Sequence, residues 1–351
     1  MTDYFNVIFQ MKTCGKTKCI LVTGGSGFIG SATIRYLIDA TDHFVVNLDK
    51  LSYAVDSQAL ADYSSHKRYK FIHGDICDQD LLEKVLSKYQ PMWVISLAAE
   101  THVDTSIYYP QEFIRTNVIG TYTLLQACLA YWWTMTKTVQ NEFRFLHVST
   151  DEVFGDLKSK KSKFNENSMY DPSSPYSATK ASADHLVRAW GRTYNFPFLI
   201  TNCTNNYGPY QHLEKLIPKT IQRLVKKETI SIYGSGLQVR DWLHVTDHVL
   251  ALHQVLKDGI VGETYCIGGN CEKTNIEVIK LICNTIDSLD NSGYSHENLI
   301  TYTKDREGHD FRYAVCTKKI RKLGWKPSKI FEDEIYKLVE SQWRNSNRLH
   351  N

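Results

Sequence analysis

Short apolar runs alternate with stretches of helical periodicity along most of this chain. Residues 19–22 (Cys-Ile-Leu-Val) read as a first strand, and Ile29, Ile34, Leu37 and Ile38 then recur on one helix face. Further strands are expected at 44–48, 70–74, 92–97, 143–148 and 198–202. Between them the pattern predicts a helix over 78–89, with Leu81, Leu82, Val85 and Leu86 inward, and a long one from 111 to about 135, with Leu124, Leu125, Cys128 and Leu129 inward. Strands separated by helices make crossover connections, so the sheet is expected to be parallel, with helices on both faces. From about residue 205 the strands shorten and turns become frequent. The expected division is an extension over 1–17, a large domain over 18–204 joined by returning segments from the second half, and a smaller C-terminal lobe over 205–345.

Chemistry concentrates where the expected strands end. The first runs into Thr23-Gly24-Gly25-Ser26-Gly27-Phe28-Ile29-Gly30. Glycines there allow a tight turn and let backbone N–H groups reach a pyrophosphate at a helix N-terminus, as in Rossmann folds. The second strand ends at Asp49, 19 residues after Gly30. A carboxylate at that point can accept both ribose hydroxyls of NAD and repels the 2′-phosphate of NADP, although the neighbouring Lys50 leaves some room for NADP. The third strand ends at Asp75-Ile76, suited to contact adenine, and the fourth opens into small Ala98-Ala99. The fifth delivers Ser149-Thr150-Asp151-Glu152, and Tyr176 and Lys180 follow four residues apart on one helix face. An ammonium beside a phenol favours the phenolate and is expected to lower the Tyr176 pKa toward use as a general base. The Asp151-Glu152 pair adds an acid and a base for eliminating water.

Size and charge narrow the choices. The 351 residues are 42% hydrophobic and 23% charged, with net charge +3. That balance gives no argument for nucleic-acid or membrane partners, and no apolar stretch approaches the roughly 18 residues of a membrane span. The first 17 residues lack the apolar core of a signal peptide. The nine cysteines are scattered without a Cys-x-x-Cys pair, which suggests reduced thiols in a cytoplasmic protein. His244 and His248 have a metal-like spacing. The reading preferred is a strand entering a helix capped at Thr246 or Asp247, and no metal site is expected.

From Lys18 to about Trp343 the chain resembles the extended short-chain dehydrogenase/reductase superfamily, and within it the nucleotide-sugar 4,6-dehydratases. The resemblance rests on Asn47 to Ala54, Ala98 to Asp104, Ser149 to Asp156, Ser174 to Lys180, Thr201 to Pro209, Glu214 to Pro218, Arg240 to Leu243 and Asp305 to Tyr313. The chain departs from that pattern at Ser96, Thr105, Leu213, Glu307 and Phe311. The last three flank the expected nucleotide side. The resemblance implies a doubly wound Rossmann sheet that binds NAD and a C-terminal lobe that binds a nucleotide sugar, with dTDP-glucose favoured over UDP-glucose. Its implied catalytic set is Thr150, Asp151, Glu152, Tyr176 and Lys180. In that reading Tyr176 takes the proton of the sugar 4-hydroxyl, Thr150 hydrogen-bonds it and Lys180 binds the nicotinamide ribose. Glu152 removes the C5 proton and Asp151 protonates the departing 6-hydroxyl. Implied NAD contacts are Gly24, Gly27, Phe28, Ile29, Gly30, Asp49, Lys50, Ser52, Asp75, Ile76, Leu97, Ala98 and Ala99, with Tyr176 and Lys180. Implied substrate contacts are Thr101, Asn205, Glu214, Lys215, Arg240, Asn275, Arg306 and His309. A homodimer is implied through the helices near 111–133 and 176–194, where Leu129, Tyr131, Trp132, Trp133 and Trp190 are compatible with an interface or with the core.

Overall fold

The computed structural model describes residues 18–348 apart from Lys160 and Asn291. The expectations for residues 1–17 lie outside the described residues. Twelve strands are described. In chain order they are β1 (Cys19–Thr23), β2 (Phe44–Asp49), β3 (Tyr69–His73), β4 (Trp93–Ser96), β5 (Arg144–Thr150), β6 (Phe198–Cys203), β7 (Asn205–Tyr207), β8 (Ile230–Tyr233), β9 (Val239–His244), β10 (Thr264–Ile267), β11 (Glu272–Thr274) and β12 (Ile300–Thr303). Seven form one sheet in the order β10-β6-β5-β4-β1-β2-β3, every neighbour parallel. The apolar runs explain this arrangement. β1, β2, β4, β5 and β6 are buried almost throughout, as strands covered by helices on both faces must be. One core layer joins Ile20, Val22, Ile34 and Leu37 to Leu252 and Val255; the other joins Leu21, Val46 and Leu86 to Leu124, Cys128 and Val187.

β10 and the helix Val245–Asp258 come from the second half of the chain yet complete this large sheet and its helical layer. A third apolar cluster builds the remainder of the second half. There β7, β9 and β11 form a small sheet, β8 and β12 pair in parallel, and the helices Leu216–Val225, Asn275–Asp290 and Phe331–Arg348 pack against them. Strand order reverses between β1 and β4, so their carboxyl ends splay and open a crevice.

Two expectations need correction. The helix expected from 111 to 135 contains a π-helical stretch, Ile114–Gly120, between Pro110–Phe113 and Thr121–Trp133. The helix after β9 is capped by His244, whose ring accepts the Thr246 N–H at 3.3 Å, and not by Thr246 or Asp247. Asp247 instead accepts the Ser328 and Lys329 N–H groups, at 2.9 Å each, tying a later loop to the helix start.

The helix Pro175–Tyr194 starts with a capping box, Ser174 and Ser177 each accepting the other's backbone N–H at 3.1 and 3.0 Å, and with Pro175 in its first turn. This fixes the first turn, which carries Tyr176. Ser174→Ala is expected to destabilise the protein by about 1 kcal/mol, read as a lower urea midpoint at unchanged slope.

Candidate active site

A single cleft runs along the carboxyl ends of β1, β2, β4, β5 and β6 and continues beneath the lobe. Its wall includes all the expected NAD contacts: Gly24, Gly27, Phe28, Ile29, Gly30, Asp49, Lys50, Ser52, Asp75, Ile76, Leu97, Ala98, Ala99, Tyr176 and Lys180. The remaining expected catalytic residues, Thr150, Asp151 and Glu152, line it too, as do Thr101, Asn205, Glu214 and Lys215. Arg240, Asn275, Arg306 and His309 are not part of this wall. Arg240 is buried, donates to the carbonyls of Val239 (2.8 Å) and Asp310 (3.0 Å), and stacks on Tyr313. Arg306 pairs with Asp104 at 3.0 Å, His309 with Asp305 at 2.7 Å, and Asn275 donates its backbone N–H to Gln238. Arg240 and Arg306 still act on the site, because their charges pull the Glu152 pKa down against its burial.

The residues at the strand ends fit a dinucleotide. Gly24 has φ +70°, and a Cβ there would lie 2.6 Å from the Ala98 Cα; at Gly30 it would lie 2.1 Å from the Gly24 carbonyl. Only glycine permits this close turn. The helix Phe28–Ala40 that follows has no side-chain cap and no acidic residue in its first turn, which leaves its N-terminus open to an anion. Asp49 is buried and accepts the N–H groups of Ser26 at 2.9 Å and Leu51 at 2.7 Å. These bonds aim the carboxylate while leaving lone pairs for hydroxyl donors. Lys50 is held by Glu100 at 2.7 Å and by the Thr116 hydroxyl at 3.3 Å. Its charge is therefore answered inside the protein, which weakens the argument for NADP.

Thr116 was not legible as a site residue. It lies in the π-helical stretch, beside Asn117, whose amide grips the Glu100 backbone (2.9 and 3.1 Å) and donates to the Thr179 hydroxyl at 3.0 Å. π-Helical turns often mark functional sites, but no residue pattern signals this one in advance. Gln211 and His212 also line the cleft and had no motif to announce them.

β5 presents Thr150, Asp151 and Glu152 in succession, the Thr150 hydroxyl accepting the Glu152 N–H at 3.2 Å. Asp151 is buried with one carboxyl oxygen unpartnered. Burial, then the charges of Glu152 and Asp241, push its pKa well above the ordinary carboxylate value. A carboxyl in such a setting holds its proton and can donate it. Glu152 is raised as well, chiefly by burial.

Tyr176 differs from expectation. The Lys180 ammonium donates to the Val148 carbonyl at 2.9 Å. The Tyr176 phenol is pushed well above its usual value by burial and by the Glu152 charge, rather than lowered. Desolvation is the largest cause of this shift.

This combination of glycine cradle, cleft-lining carboxylate, acid pair and Tyr–Lys pair can be set against known proteins. The family model described as GDP-mannose 4,6 dehydratase matches residues 21–338. The dTDP-glucose 4,6-dehydratase of Haemophilus influenzae is 52% identical over 332 residues, covering 93% of this chain and 98% of that protein. The chain belongs to the dTDP-glucose 4,6-dehydratase family. The Escherichia coli member dTDP-glucose 4,6-dehydratase 1 is 51% identical over 337 residues, 93% of each chain. The crystal structure of the Streptomyces venezuelae dTDP-glucose 4,6-dehydratase, with NAD and dTDP bound, superposes with a TM-score of 0.84 at 40% identity, covering 94% of this chain and 98% of that one. A UDP-glucose 4-epimerase of Thermotoga maritima shares the fold at a TM-score of 0.80 and 26% identity, over 94% of this chain and 99% of that one.

Among the described residues no helix is long and apolar enough to cross a membrane, and no cluster of His, Cys, Asp and Glu could hold a metal ion. Gly24→Ala is expected to weaken NAD binding by about tenfold or more, because the new Cβ meets the Ala98 backbone; calorimetric titration of the purified protein with NAD checks this.

Proposed function

We infer that this chain converts dTDP-glucose into dTDP-4-keto-6-deoxyglucose and water. The observation that carries this reading is the meeting of Thr150-Asp151-Glu152 with Tyr176 and Lys180 in one cleft that also holds the glycine cradle and Asp49. When bound, NAD supplies the acceptor for a hydride at C4, its return to C6, and a positive charge that favours the Tyr176 phenolate. The chain's own residues move the protons. Tyr176 takes the proton of the sugar 4-hydroxyl, which the Thr150 hydroxyl also binds. Lys180 orients the nicotinamide ribose. The 4-ketone acidifies the C5 hydrogen, and Glu152 removes it as a proton. Asp151, kept protonated by its buried setting, protonates the 6-hydroxyl as it departs, and water leaves across C5–C6. C5 is then reprotonated. The pair also separates this chemistry from epimerisation, which changes no atom count and needs no acid for a leaving hydroxyl.

Thr101, Asn205, Glu214 and Lys215 are proposed to face the nucleotide sugar from the cleft wall, with Arg240, Arg306, His309 and Asn275 behind them. For Arg306 this reading requires exchange or sharing of its Asp104 partner. The eight described cysteines are all free, which supports a reducing, cytoplasmic setting.

The chain is further proposed to act as a homodimer. Leu129 and Trp132 are core residues, but Trp133 is 57% exposed and meets Tyr194 edge-on. Ile119, Tyr122 and Tyr194 are exposed as well, and Tyr122 and Tyr194 both contact Trp190. These aromatic and aliphatic side chains give the two expected helices an uncovered apolar face. Light scattering at micromolar concentration should return twice the chain mass, and a monomer mass would refute the dimer.

Product mass spectrometry in deuterated water, with dTDP-glucose and UDP-glucose in parallel, tests the reaction. Loss of one water with one deuterium at C5 of the dTDP sugar is the expected result; the same only with UDP-glucose changes the substrate, and unchanged masses refute the assignment. Glu152→Gln should retain NAD and lose turnover by about 10²–10⁴-fold. In the intact protein the base must be ionised, and its pKa is raised above 4.5. kcat/KM should therefore fall as pH drops through that raised value, an acid limb above the ordinary glutamate range.

A further inference from the structure

The helix Pro175–Tyr194 carries a third ionisable residue in register with Tyr176 and Lys180. Asp184 is one turn beyond Lys180 and fully buried, as a carboxylate almost never is without partners. It has several. One oxygen accepts the Tyr170 hydroxyl at 2.7 Å and the Asn202 amide at 3.2 Å, and the other lies 3.3 Å from His147 Nε2. The Asn202 amide also donates to the Thr150 carbonyl at 3.0 Å. Arg188, the next turn on, donates to the Tyr170 hydroxyl at 2.9 Å and not to Asp184.

We propose that Asp184 is a positioning residue for the reaction inferred above: a buried counter-charge that holds Lys180 as an ammonium and, through Asn202, fixes the strand end that bears Thr150. The inference rests on that reading of the site. Lys180 is buried, and its one hydrogen bond goes to an uncharged carbonyl. A buried ammonium without a counter-ion loses its proton easily. The titratable groups interacting with Lys180 are Asp184 on its own helix, His147 on β5 and Cys203 on β6, with Tyr176 one turn before it on the helix. Cys203 is pushed up to about 12 and stays a neutral thiol; burial and the Lys180 charge push His147 down, so it stays neutral. Asp184 is then the group that carries negative charge at neutral pH. Burial alone would raise it, but His147, Lys180 and Tyr170 outweigh burial and keep it below the ordinary carboxylate value.

Asp184→Asn tests this, because it keeps the shape and removes the charge. Lys180 favours its charged form less in the variant, so the step that needs the ammonium should fail at lower pH. The expected result is a rate of C4 oxidation, followed as single-turnover absorbance at 340 nm, at least about tenfold slower at pH 8. Its alkaline limb should move down by about one pH unit, with partial recovery toward pH 6. C5 hydrogen exchange of the 4-keto product in deuterated water needs Glu152 but not Lys180, and it should stay within about threefold of the unsubstituted protein. Equal loss of both reactions at every pH, including loss through misfolding, overturns the proposal, since Asp184 would then serve only the fold. A second readout does not need turnover. In protein labelled with ε-13C-lysine, the signal missing from Lys180→Met should titrate at lower pH in Asp184→Asn, and an unmoved titration overturns the proposal. Should the unsubstituted chain fail to dehydrate dTDP-glucose, the reading of function falls, while this titration still decides the role of Asp184.

Discussion

A charged amine buried under a parallel sheet must find an acceptor and a counter-charge, and the site is organised around how Lys180 meets that need. Its ammonium bonds the Val148 carbonyl near the end of β5, which fastens the helix Pro175–Tyr194 to an interior strand of the sheet. The same helix carries Tyr176 and Asp184, and Asn202 links Asp184 to the Thr150 carbonyl. Parallel strands make this possible, since all their carboxyl ends, and the residues that follow, open on one side. Displacing the helix by one turn would move the phenol, the ammonium and the carboxylate together.

Burial then sets the protonation states. Desolvation favours neutral forms, so the Asp151 and Tyr176 pKa values are pushed up and that of His147 down. Against that background the few retained charges have strong effects because little water screens them. Arg240 and Arg306 from the lobe draw Glu152 toward ionisation, and Asp184 does the corresponding service for Lys180. Two adjacent carboxyl groups on one strand end are thus both raised by burial, Asp151 further reinforced by its acidic neighbours and Glu152 held back by Arg240 and Arg306. The lobe thus acts on Glu152 through these charges as well as lining one end of the cleft.

Much of this was legible in the chain. Apolar runs long enough for strands, each followed by helical periodicity, are sufficient to call for a parallel sheet. Gly24, Gly27 and Gly30 followed by Asp49 have few uses other than a dinucleotide. Elsewhere the local signal misled. Tyr176 and Lys180 at helical spacing suggested a lowered phenol pKa, but spacing cannot register desolvation, which dominates once both are buried. Thr246 and Asp247 looked like caps by residue type, whereas His244 took that place because Asp247 was drawn to Ser328 and Lys329, 81 and 82 positions later. Arg240 and Arg306 were implied as substrate contacts; in the fold they also have partners within the chain, backbone carbonyls for Arg240 and Asp104 for Arg306.

The sequence by itself determined the sheet, the dinucleotide turn and the presence of an acid pair, a phenol and an amine near one strand end, because each depends on spacing within a few tens of residues. Tertiary structure alone decided three further matters. It returned β10 and the helix Val245–Asp258 to the large sheet, it answered the Lys50 charge with Glu100, and it set Asp184 against His147, Tyr170 and Asn202 under the reacting groups. The reason is common to all three. Each joins different elements of the fold through contacts whose strength depends on exclusion of water, and that exclusion exists only once the layers have closed.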